Sequence, residues 1–206
     1  EKIRENFAIL QTIAEGAAMM TDTSVSRRII GAAYPRHFNK PIAEAMYENI
    51  RAVGMPEWSE DDQAFAHAFQ EYMEAEEVVG LNTEIEELQA PLEEPKSGGS
   101  DDIGDVSWNV PTVTLRFPSN IDGSTGHHWS SANAMATPIA HKGATAGAKV
   151  VAATMLDLIQ QESLVDNAWT YFRDEQSANE TYVSFVGETD NPAIEKNAEI
   201  MNAYKD

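Results

Sequence analysis

Imidazole and carboxylate side chains gather in one part of this sequence. Asp101, Asp102 and Asp105 follow Gly98-Gly99-Ser100, His127 and His128 stand in Gly126-His127-His128-Trp129, and His141 belongs to Ala140-His141-Lys142-Gly143. Neutral imidazole and carboxylate are the ligands that hard and borderline divalent metals select. A metal-binding histidine needs its second ring nitrogen held by an acceptor, which a loop at a strand end can arrange. The plainer reading of the pair is a solvated loop beside a packing Trp129. Adjacent residues in an extended chain point to opposite sides, so one of His127 and His128 at most is a ligand. The three aspartates could bind a metal, orient a ligand histidine or hold a substrate amine. Equally, they fit a helix start, with Ser100 as N-cap and Asp101 and Asp102 complementing the dipole. His141 and Lys142, beside the amide donors of a helix start, could hold a substrate carboxylate, or could simply cap and pack. His37 and His67 read as structural. No phosphate loop, dinucleotide fingerprint, Gly-x-Ser-x-Gly elbow or His-Glu-x-x-His motif is present.

The surrounding composition narrows the field. The formal charge of −20 over 206 residues repels phosphate backbones, so nucleic acid is an unexpected partner. There is no cysteine, which removes thiolate metal sites and disulfides. A hydrophobic content of 42% is enough for a core. No apolar run is long enough for a membrane span, and Glu1-Lys2-Ile3-Arg4 is not a signal sequence. The expectation is a cytoplasmic chain that begins partway through a longer protein, since it opens inside a helical pattern.

The elements that must position these residues follow from periodicity. Ile3, Phe7, Leu10, Ala14 and Ala17 form a helical stripe over 2–18. Ser24 to Tyr34 alternates and is partly β-branched, so a strand is expected there, stopped by Pro35. Asn39 with Pro41 starts a helix ended by Gly54, and Ser59 with Asp62 looks like a capping box for the next one, which Gly80 follows. Residues 81–97 read as an acidic surface loop with one helical turn near Glu84–Leu88. Val106 to Phe117 reads as a strand interrupted at Pro111. Gly123 to Ala140 should be loop. A helix from Lys142 is expected to bury Ala144, Ala148, Val151, Ala152, Met155, Leu158 and Ile159. Ser163 then caps a last helix with Val165, Ala168, Trp169 and Phe172 inward, and the final stretch from Thr181 looks irregular. Too few strands are visible for a covered sheet, so the missing ones are expected upstream.

In order along the chain stand Ile13-Ala14-Glu15-Gly16-Ala17-Ala18-Met19-Met20-Thr21, Asn39, Ala43-Glu44-Ala45-Met46-Tyr47-Glu48-Asn49-Ile50, Ser100-Asp101-Asp102-Ile103-Gly104-Asp105-Val106-Ser107-Trp108, and the two histidine motifs. This series resembles the C-terminal part of the aminobenzoyl-glutamate utilization type of amidohydrolase, within the dimetal aminoacylase and carboxypeptidase family (metallopeptidase family twenty). The resemblance extends from residue 1 to about 160. It implies an α/β fold: part of a mixed-sheet α/β catalytic domain, with the end of an inserted α+β lid domain that usually dimerises. Residues 1–33 would close the lid and 34–206 would be the C-terminal portion of the catalytic domain.

The same resemblance implies two divalent ions (zinc, manganese or cobalt) that polarise an amide carbonyl and lower the pKa of a bridging water, with a glutamate as general base. His127 matches the family's last metal-ligating histidine, with His128 standing where a small polar residue is usual. Asp102 and Asp105 match acidic positions close to the active site, and His141, Lys142 and Gly143 match a motif typical of the subfamily. The catalytic glutamate and most ligands of the family have no counterpart here. A single imidazole cannot hold two ions, so the chain alone is expected to bind no metal and to hydrolyse nothing. The expectation is therefore a C-terminal fragment of a homodimeric metal-dependent amidohydrolase acting on a small N-acyl amino acid. The alternative is a non-enzymatic binding or assembly module of the same fold, and a third reading is an acid-rich structural domain.

Overall fold

A computed structural model of the chain describes residues 2–90, 101–191 and 193–205. The described residues are 54% helix and contain no strand, so the expected mixed-sheet α/β fold does not hold. Gly98, Gly99 and Ser100, the expected entry to the aspartate cluster, lie outside the described residues.

The chain divides into two compact units, Glu1–Ala33 with Ser184–Asp206, and Tyr34–Val183. In the first, α1 (Lys2–Met20) follows the expected stripe, yet none of its residues is buried. Among the contacts that knit this unit, Arg27 lies over Phe7 at 5.6 Å, Arg4 lies over Phe185 at 4.4 Å, and Arg28 pairs with Glu195. Residues 24–33 are irregular instead of a strand. A β-branched sequence takes strand form only where a neighbouring strand completes its ladder, and no strand forms among the described residues. The irregular tail is broken by a 3₁₀ turn (Ile194–Asn197) and α8 (Ala198–Asn202).

In the second unit, the caps written in the sequence set the first two helices. The Asn39 Oδ1 accepts the Ile42 amide at 3.3 Å, Pro41 lies in the first turn, and α2 (Lys40–Val53) ends at Gly54 with φ 77°. The Ser59–Asp62 capping box is complete at the start of α3 (Glu60–Tyr72). No helical turn forms near Glu84–Leu88.

The expected strand over Val106–Phe117 is replaced by a short α4 (Ile103–Ser107) followed by irregular chain. Two local bonds favour the turn of helix: Asp101 Oδ1 accepts the Ile103 amide at 3.1 Å, and the Ser107 hydroxyl donates to the Gly104 carbonyl at 2.7 Å. The expected loop over Gly123–Ala140 contains α5 (Trp129–Met135) and the first turn of α6 (Pro138–Gln160). Thr137-Pro138 is a readable start signal, with proline at the first helical position.

α6 buries Ile139, Ala140, Gly143, Ala146, Gly147, Val150 and Thr154 against its neighbours. Most of the expected buried face (Ala144, Ala148, Val151, Ala152, Met155, Ile159) is exposed, because the small side chains, not the large ones, permit the close approach. α7 (Glu162–Tyr171) begins without the expected Ser163 cap and runs into a π turn, Phe172–Gln176, where the Ser177 amide reaches the Phe172 carbonyl at 2.8 Å. Ala168 and Phe172 point inward while Trp169 is at the surface.

One core gathers Ala66, Phe69, Leu81, Ile121, Ala134 and Ile139, with Trp58 and Met73 packed on it. Around it, two glutamines of α3 hold the strap after Gly80 in the manner of a β ladder. Gln63 pairs with the Leu81 amide and carbonyl at 2.8 and 3.1 Å; Gln70 does the same for Gly80 and adds the Asp122 carbonyl at 3.3 Å. No helix among the described residues is long and apolar enough to cross a membrane.

Candidate functional site

The histidine loop is built outward from Ile121, whose side chain is in the core. Gly123, at φ 86°, is the residue type that fits its turn, since a Cβ there would stand 2.9 Å from the Ala75 side chain. The loop closes on the first turn of α5: the Thr125 amide donates to Ser130 Oγ at 3.3 Å, and the Ser131 hydroxyl donates to the Thr125 carbonyl at 2.8 Å. Between these anchors His127 is held at φ 57°, a left-handed conformation that costs a non-glycine residue about 1–2 kcal/mol. Its side chain is exposed.

His128 is extended and caps α5. Its Nδ1 accepts the Ser130 amide at 3.3 Å and lies 2.9 Å from the Ser130 hydroxyl, which is fully buried. Trp129 leans on this imidazole at 5.1 Å and meets Tyr72 edge-on at 6.2 Å, with rings 67° apart. Trp129 remains 52% exposed.

Two of the aspartates are engaged by the chain itself. Asp101 accepts from Arg36 at 2.6 Å and from the Ile103 amide. Asp105 accepts the Tyr34 amide at 3.0 Å on one oxygen and the Tyr182 hydroxyl at 2.8 Å on the other. Tyr34 is in turn edge-on to Trp108 and Tyr182, and its hydroxyl donates to Glu180 at 2.9 Å. Asp102 is exposed and makes no side-chain cap bond. Beside this cluster the His37 ring sits 3.4 Å from the Tyr171 hydroxyl, and burial lowers its pKa.

At the third motif, the Lys142 ammonium donates to Asp62 at 2.6 Å and to the Glu57 carbonyl at 2.9 Å. The hydrogen bond from Lys142 holds the buried Asp62 carboxyl below the ordinary aspartate range, and the Ser59 amide and hydroxyl act in the same direction. Gly143 lets the helix press on the chain, because a Cβ there would stand 1.8 Å from the Pro118 carbonyl oxygen. His141 is exposed and opens with Lys142 and Lys149 onto a surface cavity of about 570 Å³ that Met55 and Pro56 also line.

Each motif is held by its own partners: Ser130 for His128, Tyr34 and Tyr182 for Asp105, and Asp62 and Glu57 for Lys142. Among the described residues no hydrogen bond joins His127 or His128 to Asp102, Asp105, His141 or Lys142. Nor does any group of three ligating side chains form a metal cage among them. Sequence reasoning missed the Trp129–Tyr72 pair; its signal was an aromatic residue directly after the two imidazoles.

A comparison with known proteins finds a relative of the chain. The chain is related to the aminobenzoyl-glutamate utilization amidohydrolases. Over 175 residues it is 31% identical to one of the subunits of the p-aminobenzoyl-glutamate hydrolase of Escherichia coli (strain K12), a match covering 74% of this chain and 36% of that protein. The chain therefore spans about a third of the length of that relative. No protein-family model matches the chain, and no solved structure matches it.

Proposed function

We propose that this chain is the C-terminal portion of a metal-dependent amidohydrolase that cleaves the amide between an acyl or aroyl group and an amino acid, of the p-aminobenzoyl-glutamate kind. The observation that carries the reading is the 31% identity, over 74% of the chain, to part of a p-aminobenzoyl-glutamate hydrolase. In this proposal residues 1–33 are the end of the lid and 34–206 belong to the catalytic part; the break between Ala33 and Tyr34 supports the first boundary, although 184–206 group with the first unit.

The described residues do not by themselves fit a two-metal centre, which needs several ligands per ion. The proposal therefore gives the chain one ligand, His127, and assigns the remaining ligands and the glutamate base to polypeptide outside the described residues. His127 is preferred over His128 because the Nδ1 of His128 is committed to Ser130 as the cap of α5, whereas the His127 side chain is exposed. Asp105 and Lys142 serve the scaffold in this reading, since their charges are taken by Tyr34, Tyr182, Asp62 and Glu57. Asp102 and His141 are the exposed groups left to meet substrate. Because the relative is by its name one subunit of a hydrolase, a partner chain is part of the proposal.

The test uses the full-length protein. His127→Ala is expected to lose about one metal equivalent of the two by elemental analysis and to abolish hydrolysis of p-aminobenzoyl-glutamate, whereas His128→Ala keeps both metals. Unchanged metal content in His127→Ala would overturn the assignment. The 206-residue polypeptide alone is expected to release no p-aminobenzoate.

A further inference from the structure

We propose that Trp129, with Tyr72 edge-on beside it, is the platform on which the aromatic ring of an aroyl substrate stacks; this rests on the hydrolase reading above and deepens it. The indole occupies the first position of α5 and leaves half of its surface uncovered, although an aromatic side chain gains most by burial. It is not a loose surface ring. His128 at 5.1 Å and Tyr72 at 6.2 Å fix its tilt from two sides, and the buried Ser130 and the Ser131–Thr125 bond fix the backbone under it. Tyr72, 73% exposed, is spent on this contact at the end of α3. Two aromatic rings held at 67° offer a face and an edge to a third ring, the arrangement that aromatic groups prefer over a flat sandwich.

The position selects the occupant. Trp129 is two residues from His127, the proposed metal ligand, and an aroyl amide carries its ring one bond from the carbonyl that the metals would polarise. A ring stacked on the indole therefore lies on the acyl side of the scissile bond. An alkanoyl group in the same place gains no stacking, so the pair discriminates aroyl from alkanoyl substrates and leaves the amino-acid side to other residues.

The experiment compares p-aminobenzoyl-glutamate with acetyl-glutamate on the full-length, metal-loaded protein. Trp129→Leu is expected to lower kcat/KM for the aroyl substrate about tenfold, a typical worth of one aromatic stack, and to leave the acetyl substrate within about twofold. Trp129→Phe, which keeps a ring, should recover most of the loss, and Tyr72→Leu should show a smaller loss of the same selectivity. Equal losses on both substrates, or none, overturn the platform while the hydrolase reading stands. A second readout is saturation-transfer NMR with p-aminobenzoate on the same proteins. Transfer to the ring protons that weakens in Trp129→Leu supports the platform even if no substrate is hydrolysed, in which case the hydrolase reading alone fails. Ring binding that is absent, or indifferent to Trp129, overturns the platform.

Discussion

Two glycines inside the chemical-looking motifs are there for contact distance. A Cβ on Gly104 would stand 1.7 Å from the Tyr34 carbonyl oxygen, and one on Gly143 would stand 1.8 Å from that of Pro118. Both obstacles are backbone, which cannot swing aside. Gly104→Ala and Gly143→Ala should each destabilise the Tyr34–Val183 unit by about 2–3 kcal/mol or more in guanidinium unfolding. Gly16 in α1 faces open space, so Gly16→Ala should instead stabilise that helix by about 0.5–1 kcal/mol, read as increased ellipticity and a higher midpoint. The Asp62–Lys142 pair has a pH signature. Because the folded carboxyl titrates below the unfolded one, its stabilisation is complete above the ordinary aspartate range and disappears as the pH falls through that range toward the lower folded value. Asp62→Asn should therefore flatten the loss of stability below about pH 4. An unchanged acid limb in that variant would show that the pair is not coupled to folding. His37 acts with the same sign at higher pH: burial keeps it neutral, so stability declines as the pH drops below the ordinary histidine range.

At the scale of elements, α3 does more than pack. The fully buried Gln70 gives both ends of its amide to Gly80 and a third bond to Asp122. Gln70→Leu fills similar space but strands those backbone groups, at about 2–3 kcal/mol, and should release the Gly80 amide to fast hydrogen exchange. An amide that stays protected would show that the strap does not depend on this side chain. Helices with local signals were legible: Asn39, Pro41 and Gly54 bound α2, and Ser59 with Asp62 starts α3, because caps act within four residues. The two expected strands were not, since Ser24–Tyr34 and Val106–Phe117 take a form that depends on what lies beside them. α5 escaped notice because its cap is an imidazole, His128, which is a rare choice. The buried side of α6 was misread for a physical reason: large apolar residues look like core, yet the helix approaches Phe117 and Pro118 through Gly143 and Gly147. At the candidate site the sequence showed which residues carry chemistry. It did not show that the carboxylate of Asp105 and the ammonium of Lys142 are consumed by neighbours distant in sequence.

Over the whole molecule, a charge of −20 coexists with exposed Val151, Met155, Leu156 and Ile159 along one side of α6. Mutual repulsion keeps such chains apart only while it is unscreened. Raising the salt from 0.15 M to 1 M shortens the screening length from about 8 Å to about 3 Å. The 206-residue chain should then self-associate, and should do so again near its isoelectric point of about 4.4, both visible by light scattering. Met155→Lys with Ile159→Lys should suppress the association; a monodisperse wild-type chain at 1 M salt would contradict it.

The seat of α6 has a further consequence, for length changes in the gene. Each residue of a helix turns the next by about 100°, so deleting one codon between Pro138 and Lys142 would swing Gly143 and Gly147 away from Pro118 and Phe117 and drive bulkier neighbours into a gap that admits none. Single-codon deletions should be lethal to folding on that side of Gly143.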